Sequence, residues 1–116
     1  GSWSMGHFLD PTTNLIDHWI RHYNDMEMFG CNSKEDMVAM AVDFMKKEEG
    51  VEIYIDTYHG YSKATKSSGV IVKYERATGK YVVGDVDGNI RSFYMLKDPR
   101  TLEDTTRYIR LNEGGV

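Results

Sequence analysis

At Glu49-Gly50 the spacing of apolar residues changes from that of a helix to that of a strand, and this change divides the chain into a helical part and a strand-rich part. Upstream, Leu15, Trp19 and Met26 recur at helical spacing from about Thr13 to Glu27, with His22 in the same stripe and Asp10-Pro11 or Thr13 available to start the helix. Phe29-Gly30-Cys31-Asn32 ends that helix, because Gly and Asn are the residues that tolerate the turn past a helix terminus. Ser33-Lys34-Glu35-Asp36 reads as a variant capping box opening a second helix, whose apolar face of Met37, Val38, Ala41, Phe44 and Met45 runs to about Glu48. The methionines at 37, 40 and 45 read as adaptable core filler.

Downstream, Val51, Ile53 and Ile55 alternate with Glu52, Tyr54 and Asp56, as in a strand with one buried face. The stretch from Tyr58 to Gly69, rich in Gly, Ser and Lys, reads as a mobile loop. Val70 to Glu75 and Lys80 to Val86 are strand-like runs joined by Arg76-Ala77-Thr78-Gly79. Asp87-Gly88 then leads into a third run, Asn89 to Met95, which makes a three-stranded meander. After Pro99 two readings stand open: Thr101-Leu102-Glu103-Asp104 as the cap of a short helix, or Tyr108-Ile109-Arg110-Leu111 as a last strand. Helices followed by hairpins, without crossover helices, predict an α+β fold in which two N-terminal helices pack on one face of an antiparallel, hairpin-rich sheet.

The chain's 116 residues suit a single domain. No apolar run approaches the roughly 20 residues of a membrane span, so a soluble chain with no membrane segment is expected. Gly1-Ser2-Trp3-Ser4-Met5 lacks the pattern of a signal peptide. Cys31 is the one cysteine and cannot form an internal disulfide; it reads as an idle, buried thiol rather than a nucleophile. The net charge of −4 is unevenly spread: residues 1–57 carry 11 acidic against 4 Lys/Arg side chains, whereas residues 58–100 carry 4 against 8. That basic stretch, with Lys63, Lys66, Lys73, Arg76, Lys80 and Arg91 among its cations, reads either as a face for a polyanion or as solvated side chains on a sheet.

His18-Trp19-Ile20-Arg21-His22 is the densest cluster of functional side chains. On a helix His18 and His22 lie one turn apart on one face, with Arg21 three residues from His18. Two imidazoles and a guanidinium suit acid–base chemistry at a phosphate, one group taking a hydroxyl proton while a fixed cation holds the developing charge. Residue by residue the plainer alternative stands beside this. His22, central in the apolar stripe, reads first as a hydrogen-bonded core histidine, and His18, at the stripe's edge, reads equally as surface or core. A metal site is not expected, since no Glu follows the first His and no third ligand is evident. Strict alternation in the last hairpin strand places Ile90, Ser92 and Tyr94 on one face and Arg91, Phe93 and Met95 on the other. Ser92 and Tyr94 can donate hydrogen bonds to a phosphate or serve ordinary sheet pairing.

Taken in order, these elements resemble the toxin domains of bacterial polymorphic and contact-dependent inhibition systems with the barnase–EndoU–colicin–RelE nuclease fold. Such domains carry an H-x-x-K/R-H helix, a second amphipathic helix, then hairpins with aromatic-x-x-x-T-G-x-F/Y-x-V and D-G-x-I-x-T/S-F/Y-F/Y elements. The counterparts are His18 to His22, the helix opened by Ser33, Tyr74 to Val83, and Asp87 to Tyr94, spanning about residues 15 to 98. The resemblance implies the C-terminal domain of a larger secreted or surface-delivered protein, cutting RNA, often tRNA, in a competitor's cytoplasm, with an immunity protein protecting the producer. It implies His18 and His22 as acid–base residues, Arg21 as the phosphate-binding cation, Ser92 as the hydroxyl of the last strand and Tyr94 as an accessory. No cofactor is implied, and Lys63, Lys66, Lys73 and Arg91 are the expected RNA contacts. The contrasting expectation is a protein-binding accessory domain without catalysis, whose histidines are core.

Overall fold

The computed structural model describes Trp3 and residues 11–62, 67–85 and 88–112. Helix α1 spans Pro11–Arg21, α2 Tyr23–Met28 and α3 Lys34–Lys46. The single helix expected over 13–27 is therefore two pieces. His22, at φ −113° and ψ 23°, leaves the helical region, yet the backbone bonds His22 N–H to His18 C=O and Met26 N–H to His22 C=O, both 3.0 Å, carry the turns through the bend. The bend resets the phase of the apolar stripe, so spacing counted across His22 does not predict which side chains share a face.

Gly30 ends α2 in the left-handed region at φ +88°, where a side chain would be strained. Ser33 then caps α3 by accepting from Asp36 N–H at 3.1 Å, and the Asp36 carboxylate accepts in return from Asn32 N–H at 3.0 Å. At the far end Lys73 donates from Nζ to the Lys47 carbonyl at 2.6 Å, satisfying a group just past the terminus of α3.

The sheet is antiparallel throughout, in the order β4-β3-β2-β1-β5, built from β1 Glu52–Ser62, β2 Ser67–Glu75, β3 Lys80–Asp85, β4 Ile90–Met95 and β5 Tyr108–Arg110. The fold class is α+β, as expected. The meander gains β1 at one side, and β1 and β2 take up much of the stretch expected to be a loop; residues 63–66, with Lys63 and Lys66, lie outside the described residues. Of the two readings left open after Pro99, the last strand occurs as β5, whereas Thr101-Leu102-Glu103-Asp104 does not open a helix: it closes a 3-10 turn over Pro99–Glu103 whose N-cap is Asp98. No described helix is long and apolar enough to cross a membrane.

Helices cover one face of the sheet. There Val51, Val82, Ile90 and Phe93 pack with Met26, Met37, Ala41 and Phe44. The other face was expected to meet solvent, but Glu52, Tyr54 and Asp56 of β1 are buried, while Ile53 and Ile55 are only half-buried. The reason lies in the C-terminal segment: Leu102 and Tyr108 close over Tyr54, Val72, Tyr74 and Tyr81 to make a second core. The buried carboxylates are neutralised in place. Arg76 donates to Glu52 through Nε and Nη2 at 2.9 and 3.0 Å, and Arg107 pairs likewise with Asp56.

Candidate functional site

β4 is an edge strand, and unpaired strand edges need cover. α1 and α2 provide it with side chains. Nε2 of His18 stands 2.6 Å from the carbonyl oxygen and 3.0 Å from the amide nitrogen of Phe93. Asp25 accepts from Met95 N–H at 3.3 Å, and Trp3 forms a parallel bridge with Ile90.

A bulge in β4 then determines what faces outward. Val83 pairs with Ser92 but Gly84 pairs with Ile90, so Arg91 is an extra residue and the alternation breaks. Contrary to strict alternation, Ile90 joins Phe93 in the core under the helices, and Arg91, Ser92 and Tyr94 line a cavity on the other side.

That cavity, of about 400 Å³, lies between α1, β4 and the C-terminal segment. α1 contributes Asn14, His18 and Arg21, which recur at i, i+4 and i+7; β4 contributes Arg91, Ser92 and Tyr94; Asp56, Tyr81, Thr101, Arg107 and Tyr108 complete the polar wall among the described residues. The structure thus brings together His18, Arg21, Arg91, Ser92 and Tyr94, and His22 joins them through Tyr94, on which its ring stacks at 5.1 Å and 15°.

Of the two histidines, His18 takes the core reading of the two left open for it, and His22 departs from the core reading it was first given. His18, read at the edge of the stripe, is 2% exposed, and its Nε2 is committed to Phe93. Burial pushes its pKa down to about 4, against the opposing pull of the Phe93 hydrogen bond, and the neighbouring His22 and Arg21 lower it further. It is a neutral imidazole at physiological pH. His22, read as core, is half-buried, with Nδ1 3.6 Å from the Asp25 carboxylate. Partial burial and then the Arg21 cation lower its pKa, while Asp25 pulls it back up. Asp25 on Nδ1 leaves Nε2 as the nitrogen for proton exchange. Arg21 is exposed and donates from Nε to Asp17 at 2.7 Å. Burial raises the pKa of the Tyr94 phenol, so it keeps its proton at neutral pH.

Other expected residues lie elsewhere. Lys73 is buried on the helix-covered face with its ammonium on the Lys47 carbonyl, and desolvation lowers its pKa; it does not reach the cavity. Cys31 is buried beside Met40, its thiol pKa raised by burial and by Asp36. Sequence reasoning missed Asp56 and Arg107. Asp56 alternates as an outward residue would, and Arg107 precedes a strand that the sequence left undecided.

The fold and cavity define an α+β domain with an arginine-rich hollow on the sheet face away from α3. Comparison with protein-family models, with curated proteins and with solved structures finds no match.

Proposed function

We propose that this domain is a metal-independent endoribonuclease toxin of the barnase–EndoU–colicin–RelE kind, delivered as part of a larger secreted or surface protein, acting on RNA in a target cell's cytoplasm and held in check by an immunity protein. One observation carries the reading: a single cavity joins Arg21 of α1 to Arg91, Ser92 and Tyr94 of β4, with His22 stacked on Tyr94. Cleavage proceeds by internal transesterification. His22 takes the 2′-hydroxyl proton through Nε2, the 2′-oxygen bonds to phosphorus, and the bond to the 5′-oxygen breaks as that oxygen receives a proton from the Tyr94 phenol. Arg21, Arg91 and Ser92 hold the non-bridging oxygens as charge builds on them. The products are a 2′,3′-cyclic phosphate and a 5′-hydroxyl, and solvent returns the proton from His22 to Tyr94. His18 drops out of the proton transfers and serves to fix α1 on β4. The acidic first half of the chain suits a basic inhibitor surface.

The test is incubation of the purified domain with total bacterial RNA in EDTA, read by gel and end-group analysis. Discrete fragments ending in cyclic phosphate, lost in a folded His22→Gln variant, are expected. RNA left intact at high protein concentration overturns the reading.

A second reading, a protein-binding accessory domain without catalysis, draws on the burial of His18, a histidine spent on the fold. Toxicity to the host on expression without a partner separates the two, since only the enzyme is toxic.

A further inference from the structure

Among the described residues lining the cavity, three arginines face one carboxylate, a positive balance in a chain whose net charge is −4. Of these, Arg21 was expected at a phosphate and Arg91 as an RNA contact. The third, Arg107, is the most constrained. Its Nε and Nη2 donate at 3.0 Å to the two oxygens of Asp56, which is 2% exposed, and its Cζ lies 5.2 Å from the ring centre of Tyr58 and 4.9 Å from that of Tyr108. The backbone is tied as well, since Thr57 donates to the Arg107 carbonyl from both N–H and Oγ1 at 2.8 Å. A guanidinium is a planar fork, so anchoring one edge on Asp56 turns Nη1 away from that carboxylate. With about a quarter of its side chain exposed in the cavity wall, Arg107 is a cation held in fixed orientation at no further cost in side-chain entropy.

We propose that Arg107 is a substrate-binding residue of this cavity, holding a phosphate of single-stranded RNA next to the one that is cut, with Asp56 as its positioning residue. The proposal rests on the ribonuclease reading and names its substrate class. A hollow of about 400 Å³ walled by Tyr81, Tyr94 and Tyr108 admits an unpaired nucleotide and is far too small for a duplex.

The test uses the full chain and a fluorescent RNA octamer made uncleavable by 2′-deoxy substitution, with Kd measured across a salt series, alongside cleavage of the all-ribose octamer. Arg107→Gln is expected to weaken octamer binding about 10- to 100-fold and to lower the slope of log affinity against log salt by about 0.7, one single-strand phosphate contact. Arg107→Lys keeps the cation without the fork, so it retains the slope and raises KM with little change in kcat. If Arg107→Gln unfolds, Arg107→Lys decides alone, and an unchanged KM overturns the proposal. Unchanged affinity and slope in a folded Arg107→Gln, with wild type cutting RNA, leave Arg107 a structural staple only and overturn it while sparing the ribonuclease reading. A wild-type chain that neither binds the octamer nor cuts RNA overturns both.

Discussion

His18 and Phe93, 75 residues apart in the chain, meet at one atom: Nε2 of the imidazole stands 2.6 Å from the carbonyl oxygen and 3.0 Å from the amide nitrogen of Phe93. A protonated Nε2 donates to the carbonyl and a bare one accepts from the amide, so either neutral tautomer satisfies one group of the β4 edge. Replacing His18 by Ala leaves that edge uncovered and opens a hole under Trp3, whose ring centre lies 5.0 Å away. The expected loss is about 2–4 kcal/mol in urea unfolding.

The same contact makes stability depend on pH. The folded pKa of His18, about 4, lies below the unfolded 6.5, so the unfolded chain binds more protons between these values. The contribution is fully present above pH 6.5 and is lost as pH falls toward 4; the shift corresponds to about 3 kcal/mol. Stability depends on pH through more groups than this one, so the quantity to measure is the difference between wild type and His18→Ala. That difference should shrink from pH 7 to pH 4, and a constant difference contradicts the assignment.

Asp25 bears on His22 in a separable way. Asp25→Asn keeps an oxygen to accept from Met95 N–H but removes the negative charge that favours the imidazolium of His22. The His22 titration midpoint, followed by NMR, should move further down while the Met95 amide stays protected from exchange. With His22 as the base, the acid limb of the cleavage rate moves to lower pH in parallel. A midpoint that stays fixed or rises contradicts the pairing.

The bulge that aims Arg91 and Ser92 depends on Gly84. A Cβ at this position would come within 1.9 Å of Met45 Cε, which can swing aside, and 3.0 Å from the Asn89 carbonyl oxygen, which cannot. Gly84→Ala is expected to cost about 1–3 kcal/mol. Shortening Met45 to Ala in that background should recover only the part due to the side chain, as a double-mutant cycle by urea unfolding will show.

Cys31 should resist thiol reagents. With the side chain buried and its pKa raised, modification at pH 8 should be slower than in the unfolded chain by about 100-fold or more. Comparable rates with and without denaturant would show that the α2–α3 turn opens readily.

The elements whose signals are local were legible in the sequence. The period change at Gly50 separates helices from strands, Gly30 and Ser33 mark the end of α2 and the start of α3, and the turns at Gly79 and Gly88 have φ of +81° and +85°. The cluster of His18, Arg21 and His22 was legible as a concentration of chemistry, and so were Ser92 and Tyr94. What each would do was not. The bend at His22 and the bulge at Arg91 each shift a repeating pattern by a fraction of a turn or by one residue, and periodicity has no means of registering such a slip.

The amino-acid sequence by itself determined the fold class, the α+β order of elements and the residue types available for a site, because propensity, capping and hydrophobic period act over a few residues. Tertiary structure alone decided that His18 is a neutral stay of the β4 edge, that Lys73 caps α3 rather than facing a ligand, and that Asp56 and Arg107 complete the cavity. Each of those outcomes depends on burial and on partners at least 26 residues distant, and desolvation and pairing, not residue type, set whether a charge is retained, neutralised or presented.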